Sequence, residues 1–183
     1  MKRLLLVILM VLMAFAIPLG ASARTRPLYY TVQLQDLNNS GVHGRVILIQ
    51  RDNELRVIVV ARGLEKNMVH MQHIHGFTAA TLDSTCPPPS AAGSDGILTL
   101  QEGMPYYGPV ILPLLDTNGD YPTASRFGVV RFSNTFDLAP LELTDLSPFT
   151  IVIHGMTVNG AYDGSLPVAC GQINLLGRQA PSS

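Results

Sequence analysis

The sequence predicts an all-β domain, a sandwich or barrel of short antiparallel strands, and three observations predict it. Seven segments are rich in β-branched and aromatic residues, with alternating or continuous apolar patterning of strand length. They are separated by turns rich in Gly, Pro and Asn. No segment carries the 3.6-residue apolar repeat of an ordinary amphipathic helix, and no internal repeat is visible.

Taken in order, Tyr29 to Leu37 alternates along a first strand. Val42 to Gln50 and Leu55 to Ala61 are Val/Ile-rich runs joined by the polar turn Arg51-Asp52-Asn53-Glu54, which reads as a hairpin. Met68 to Phe77 is a fourth run. Phe127 to Phe132, Phe149 to His154 and Val168 to Leu175 are the later ones. Between Cys86 and Arg126 lie most of the prolines, several glycines and few charges. This stretch reads as a long excursion from the β scaffold, with one short strand near Tyr107 to Leu115. Long loops on such scaffolds are commonly functional or stapled down.

The N-terminus predicts export. Lys2 and Arg3 precede an uncharged apolar run from Leu4 to Ile17; Pro18-Leu19-Gly20 breaks it, and Ala21-Ser22-Ala23 is a small-x-small cleavage signal. The run is too short for a membrane span, which needs roughly 20 residues. The expected organisation is a signal peptide at 1–23, one domain at 24–178 and a tail at 179–183. Without Lys2 and Arg3 the chain has ten basic and thirteen acidic residues, a net charge of −3. A nucleic-acid partner normally needs a basic face, so none is expected. No second apolar segment is long enough to span a bilayer, so no membrane association is expected after cleavage. The destination is the periplasm or the outside of the cell.

The chain has two cysteines, Cys86 and Cys170. An even pair in an exported chain reads as a disulfide. The alternative is a pair of thiolate metal ligands, which no CxxC spacing supports. The chemistry concentrates in Val69-His70-Met71-Gln72-His73-Ile74-His75-Gly76. On a strand, His73 and His75 share a face, and two imidazoles so placed make half a transition-metal site. His70 lies on the other face and suits a bracing hydrogen bond. His154 closes the apolar run Phe149-Thr150-Ile151-Val152-Ile153-His154. Met71 shares a face with His73 and His75, and Met156 lies two residues beyond His154. Both are thioether candidates for Cu(I), weighed against simple packing.

The combination resembles the copper/zinc superoxide dismutase family. Its HxxHxH strand is matched by His70-Met71-Gln72-His73-Ile74-His75, its first bridge cysteine by Cys86, and its late strands by Ile151-Val152-Ile153-His154 and Ala169-Cys170-Gly171-Gln172-Ile173. The hairpin ending in Arg62-Gly63-Leu64 resembles the family's second and third strands. The resemblance implies a Greek-key β-barrel of about eight strands with a long loop tied down by a Cys86–Cys170 disulfide. It implies copper on His73, His75 and His154, braced by His70. A weaker likeness is to exported bacterial proteins related to chordin-type domains, which carry HIHG, CP, an Asp/Gly-rich segment and EG-x-P-x-YGP. Here these are His73 to Gly76, Cys86-Pro87, Asp95-Gly96 and Glu102 to Pro109.

The departures narrow the reading. The family bridges copper and zinc with a histidine in the loop after the HxH pair, yet no histidine lies between His75 and His154. Of five histidines, only His43 is left over, in a turn well before the site, so a zinc site of that type is not expected. The family's anion-guiding arginine, three residues before the second cysteine, is Pro167 here. Ala91 to Glu102 has the frame of a calcium loop, but Ala91 and Gly93 stand where carboxylates are needed, so calcium is not expected. Asp116 to Asp120 reads as a turn. Three functions follow: a weakly catalytic or non-catalytic copper-binding domain, a copper-only dismutase acting on superoxide, or a metal-free adhesion or interaction module.

Overall fold

The computed structural model describes residues 26–77 and 82–178. The expected signal peptide (1–23) and tail (179–183) lie outside the described residues. Among the described residues nine strands form one antiparallel sheet: β1 (Leu28–Asp36), β2 (His43–Arg51), β3 (Glu54–Arg62), β4 (Gln72–His75), β5 (Val110–Pro113), β6 (Val129–Asp137), β7 (Thr150–Val158), β8 (Ala161–Gln172) and β9 (Asn174–Arg178). Their order is β5-β4-β7-β8-β1-β2-β3-β6, with β9 also pairing with β1. The sheet curls into a half-barrel whose two ends are β5 and β6. The pairing of β3 with β6 and of β4 with β7 gives it Greek-key connections.

The curl follows from alternation. On β1, Tyr30, Val32 and Leu34 are buried; on β2, Val46 and Leu48; on β3, Leu55, Val57, Val59 and Ala61. The residues between them are mostly exposed or half-buried, so one face of each strand supplies the core. The β2–β3 hairpin closes through Asp52-Asn53, with Asp52 in the left-handed region (φ 52°). Ile74, Ile151, Ile153 and Val168 complete the same interior from the other half of the sheet.

A second, smaller cluster lies on the outer face of β7 and β8. There Val152 and Cys170 pack with Tyr107, flanked by Leu37, Cys86 and Leu100. The long excursion is therefore laid across the outside of the sheet. The Cys86–Cys170 disulfide, with Cα atoms 5.7 Å apart, ties it down.

Four details differ from the sequence expectations. The excursion contains a helix, α1 (Leu100–Tyr107), where none was expected. With eight residues, Gly103 and Pro105, it is too short to show a repeat; its one signal is the capping box of Thr99 and Glu102. The strand expected near Tyr107 to Leu115 is the shorter β5. The fourth run shrinks to β4, preceded by an isolated Val69–Thr123 bridge. His43 begins β2 rather than occupying a turn, and it is exposed there.

Candidate metal centre

Strand β4 places two histidines by period alone. Ile74 enters the interior core, so His73 and His75 lie on the outer face. In register, His73 faces Val152 on β7 and His75 faces Thr150. His154 continues the outward parity of Val152. The β7–β8 register shifts on either side of it, a bulge centred on Gly155 (φ 111°). A Cβ at Gly155 would run into the Tyr162 hydroxyl and the His70 ring. Pro167 pairs across from His154.

The three rings converge. Their centroids are 5.2 to 5.6 Å apart, and one ring nitrogen from each lies within 4.8 Å of the others. His75 and His154 are 1% exposed and His73 is 7% exposed. Each ring spends one nitrogen on the protein. His75 donates from Nδ1 to the Gly108 carbonyl (2.9 Å), and His154 donates from Nδ1 to the Ser165 carbonyl (2.8 Å). His73 Nε2 lies 2.8 Å from the Tyr121 hydroxyl.

The remaining nitrogens, His73 Nδ1, His75 Nε2 and His154 Nε2, are buried with no hydrogen-bond partner. A buried polar atom left unsatisfied costs about 1–3 kcal/mol. Three such nitrogens in one cluster are what a metal site presents when its ligands are held ready. Burial favours the neutral rings that bind metals. It lowers His73 to about 4, helped by neighbouring His75, and His154 to about 3, helped by His73. His75 is also lowered by burial, against the opposing hydrogen bond to Gly108. Three neutral imidazoles can hold a metal ion.

The excursion builds the roof. Tyr107 packs its ring 4.7 Å from His75 and donates its hydroxyl to the Leu100 carbonyl. Burial pushes that phenol up to about 12. Ser84 donates to the Tyr107 carbonyl (3.0 Å) and bonds Thr150 Oγ1 (2.7 Å), joining the roof to β7. Gly108, whose carbonyl holds His75, is itself placed by close backbone approach. Its φ is 77°, and a Cβ there would meet the Gly76 carbonyl oxygen at 2.5 Å. Gly76 in turn donates to the Pro109 carbonyl. Of the segment Glu102-Gly103-Met104-Pro105-Tyr106-Tyr107-Gly108-Pro109, Tyr107 and Gly108 are the residues that meet His75.

His70 lies beneath the site. Its Nδ1 is 3.0 Å from the His154 carbonyl oxygen and its Nε2 is 3.1 Å from that of Glu65, so the ring sits between the backbone at His154 and the segment before β4, and its tautomer decides which carbonyl receives its hydrogen. The Glu65 carboxylate also receives the backbone and hydroxyl of Thr157. Met156 packs against the main core, because the bulge at Gly155 reverses its parity relative to His154. Met71 sends its methyl group toward Gly164. Glu102, the last position of the calcium-loop frame, accepts from the backbone and hydroxyl of Thr99. Asp116 caps the turn that runs to Asp120.

Tyr107, Gly108, Tyr121 and Ser165 were not singled out as site residues from sequence. The repeat-free motif around Tyr107 and Gly108 was the only available signal; nothing marks Tyr121 or Ser165. No protein-family model matches the chain, and a comparison with curated proteins finds no match. The reading of the site therefore stands on the convergence of His73, His75 and His154.

Proposed function

We propose that this chain is an exported copper-binding domain of superoxide dismutase-like fold, with one copper held by His73, His75 and His154 and little or no catalysis of superoxide decay. The observation that carries the reading is the set of three buried, neutral, unpartnered imidazole nitrogens facing one another. Among divalent first-row metals, copper binds a given nitrogen site most tightly. The motif resemblance points to the same metal. A disulfide-tethered loop suits an oxidising compartment. Among the described residues no helix is long and apolar enough to cross a membrane.

Bound copper would supply one-electron cycling between Cu(II) and Cu(I). The protein's own contribution is to hold three neutral rings, keep water away from two of them, and roof the site with Tyr107. Pro167 offers no charge to attract an anion, and no loop histidine is available to relay a proton. These features favour binding or buffering over fast dismutation.

The test is to offer copper and zinc to the purified protein and count the ions retained. One copper per chain, lost in His154→Ala, supports the proposal. Retention of less than a tenth of an equivalent overturns it and favours a metal-free interaction module. Rapid superoxide decay by the copper-loaded protein, abolished in His154→Ala, would replace buffering with a copper-only dismutase.

A further inference from the structure

The three rings are not held alike. His75 and His154 each turn Nδ1 to a backbone carbonyl. A carbonyl oxygen only accepts, so in both rings the hydrogen sits on Nδ1 and the lone pair on Nε2. His73 instead meets the hydroxyl of Tyr121. A hydroxyl both donates and accepts, so it leaves the His73 tautomer free.

We propose that Tyr121 is a positioning residue that lets His73 exchange tautomers when the site fills; this rests on the metal-binding reading above. With no ion present, a His73 Nδ1 lone pair would face the lone pairs of His75 Nε2 and His154 Nε2. The alternative removes that repulsion: the Tyr121 O–H donates to Nε2, and the His73 hydrogen sits on Nδ1, facing those lone pairs. With an ion present, Nδ1 must offer its lone pair. The hydrogen then sits on Nε2 and is donated to the Tyr121 oxygen. The ring is neutral in both states, its hydrogen moves from Nδ1 to Nε2 through solvent, and tyrosine keeps its own. Tyr121 is half-buried rather than sealed, so its displaced O–H can turn to water. His73 is also the most exposed of the three rings. A carbonyl in place of this hydroxyl would have locked one tautomer, as it does at the other two histidines.

The experiment uses ¹⁵N-histidine NMR on the full mature chain, metal-free and loaded with a diamagnetic ion, Zn(II) or Cu(I), with Tyr121→Phe alongside. Phenylalanine keeps the edge-on packing against His73 (5.4 Å between centroids, 89°) and removes only the hydroxyl. In the wild type, His73 should carry hydrogen on Nδ1 when empty and on Nε2 when loaded, while His75 and His154 keep Nδ1–H throughout. Tyr121→Phe should weaken the empty-state Nδ1–H preference, because the hydroxyl bond to Nε2 is gone while the repulsion at Nδ1 remains, and should bind Cu(I) about 10- to 100-fold more weakly, the usual effect of removing a partner of a ligating histidine. The proposal is overturned if empty wild-type His73 already carries Nε2–H, or if Tyr121→Phe matches the wild type in tautomer and affinity. If the wild type takes up no metal, the metal-binding reading falls first. The empty-state comparison of wild type with Tyr121→Phe still decides what the hydroxyl does.

Discussion

Strand β4 and the parts of β7 and β8 beside it are buried on both faces, but the two faces are built differently. The inner face carries Ile74, Ile151, Ile153 and Val168, apolar side chains covered by the curl of the sheet itself. The outer face carries His73, His75, Val152, His154 and Cys170, covered only because a long segment is drawn across it and fastened at Cys86. The inner layer meets apolar side chains from the other half of the sheet. The outer layer meets a hydroxyl, two carbonyls and a tyrosine ring, and three nitrogens are left without partners. The inner layer is stable because its groups prefer each other to water. The outer layer holds groups that would prefer water, and it keeps them buried. It should therefore be the weaker of the two, and each experiment below separates them.

Acid should produce the largest effect on the metal-free protein. His73 and His154 have folded-state values below the ordinary histidine value of 6.5, at about 4 and about 3. The unfolded chain therefore takes up protons first as pH falls. Their contribution to stability is full above pH 6.5 and is lost on descent toward pH 4 and below, at up to about 1.4 kcal/mol per pH unit for each ring. Urea unfolding from pH 7 to pH 4 should show this slope, and a His73→Phe/His154→Leu variant should flatten it. An unchanged slope in that variant would mean that other groups cause the acid sensitivity.

Removing the tether comes next. A Cys86→Ala/Cys170→Ala variant opens a loop with a sequence separation of 84 residues. The chain-entropy model puts the loss at about 4–5 kcal/mol, with measured bridges commonly giving less. Metal affinity should fall along with stability, because the roof holds His75. By contrast, Ile153→Ala should cost about 2–5 kcal/mol through its cavity and leave the copper stoichiometry of the folded protein intact. Equal loss of metal binding in both would erase the distinction between the layers.

Gly108→Ala tests the roof at one point. Alanine there must adopt a left-handed φ and displace the Gly76 carbonyl, a strain of about 1–3 kcal/mol. It should weaken copper binding more than Gly119→Ala, a left-handed glycine with open space around it. Isothermal titration of the two variants makes the comparison. The smallest effect is expected from Thr99→Ala, which removes the cap of α1 at about 0.5–2 kcal/mol and should be visible as earlier thermal melting. No change in Tm would mean that the helix contributes nothing to holding the roof.

Much of the site was legible because strands have a period of two. His73 and His75 had to share a face wherever the strand went. His154 was legible as the polar end of an apolar strand, and its partnership with the other two came from motif order. Met156 shows the limit of the same rule. Parity placed it beside His154, but one inserted residue at Gly155 sent it into the core. The helix was missed for a related reason: eight residues are too few for a 3.6-residue repeat, and the capping pair Thr99 and Glu102 is a local signal that periodicity does not weigh.

Residue order was enough to establish an antiparallel β domain, the pairing of its two cysteines and the candidate ligands, because these follow from alternation, from counting and from motif. It could not place Tyr107, Gly108, Tyr121 and Ser165 around those ligands. Tyr107, Gly108 and Tyr121 belong to the excursion and meet their histidines only because it folds back over the sheet, whereas Ser165 reaches His154 from the neighbouring strand β8 across a shifted register. The nitrogen that each ring turns toward the cluster is chosen by those partners. That choice appears only when the chain has closed over its own outer face.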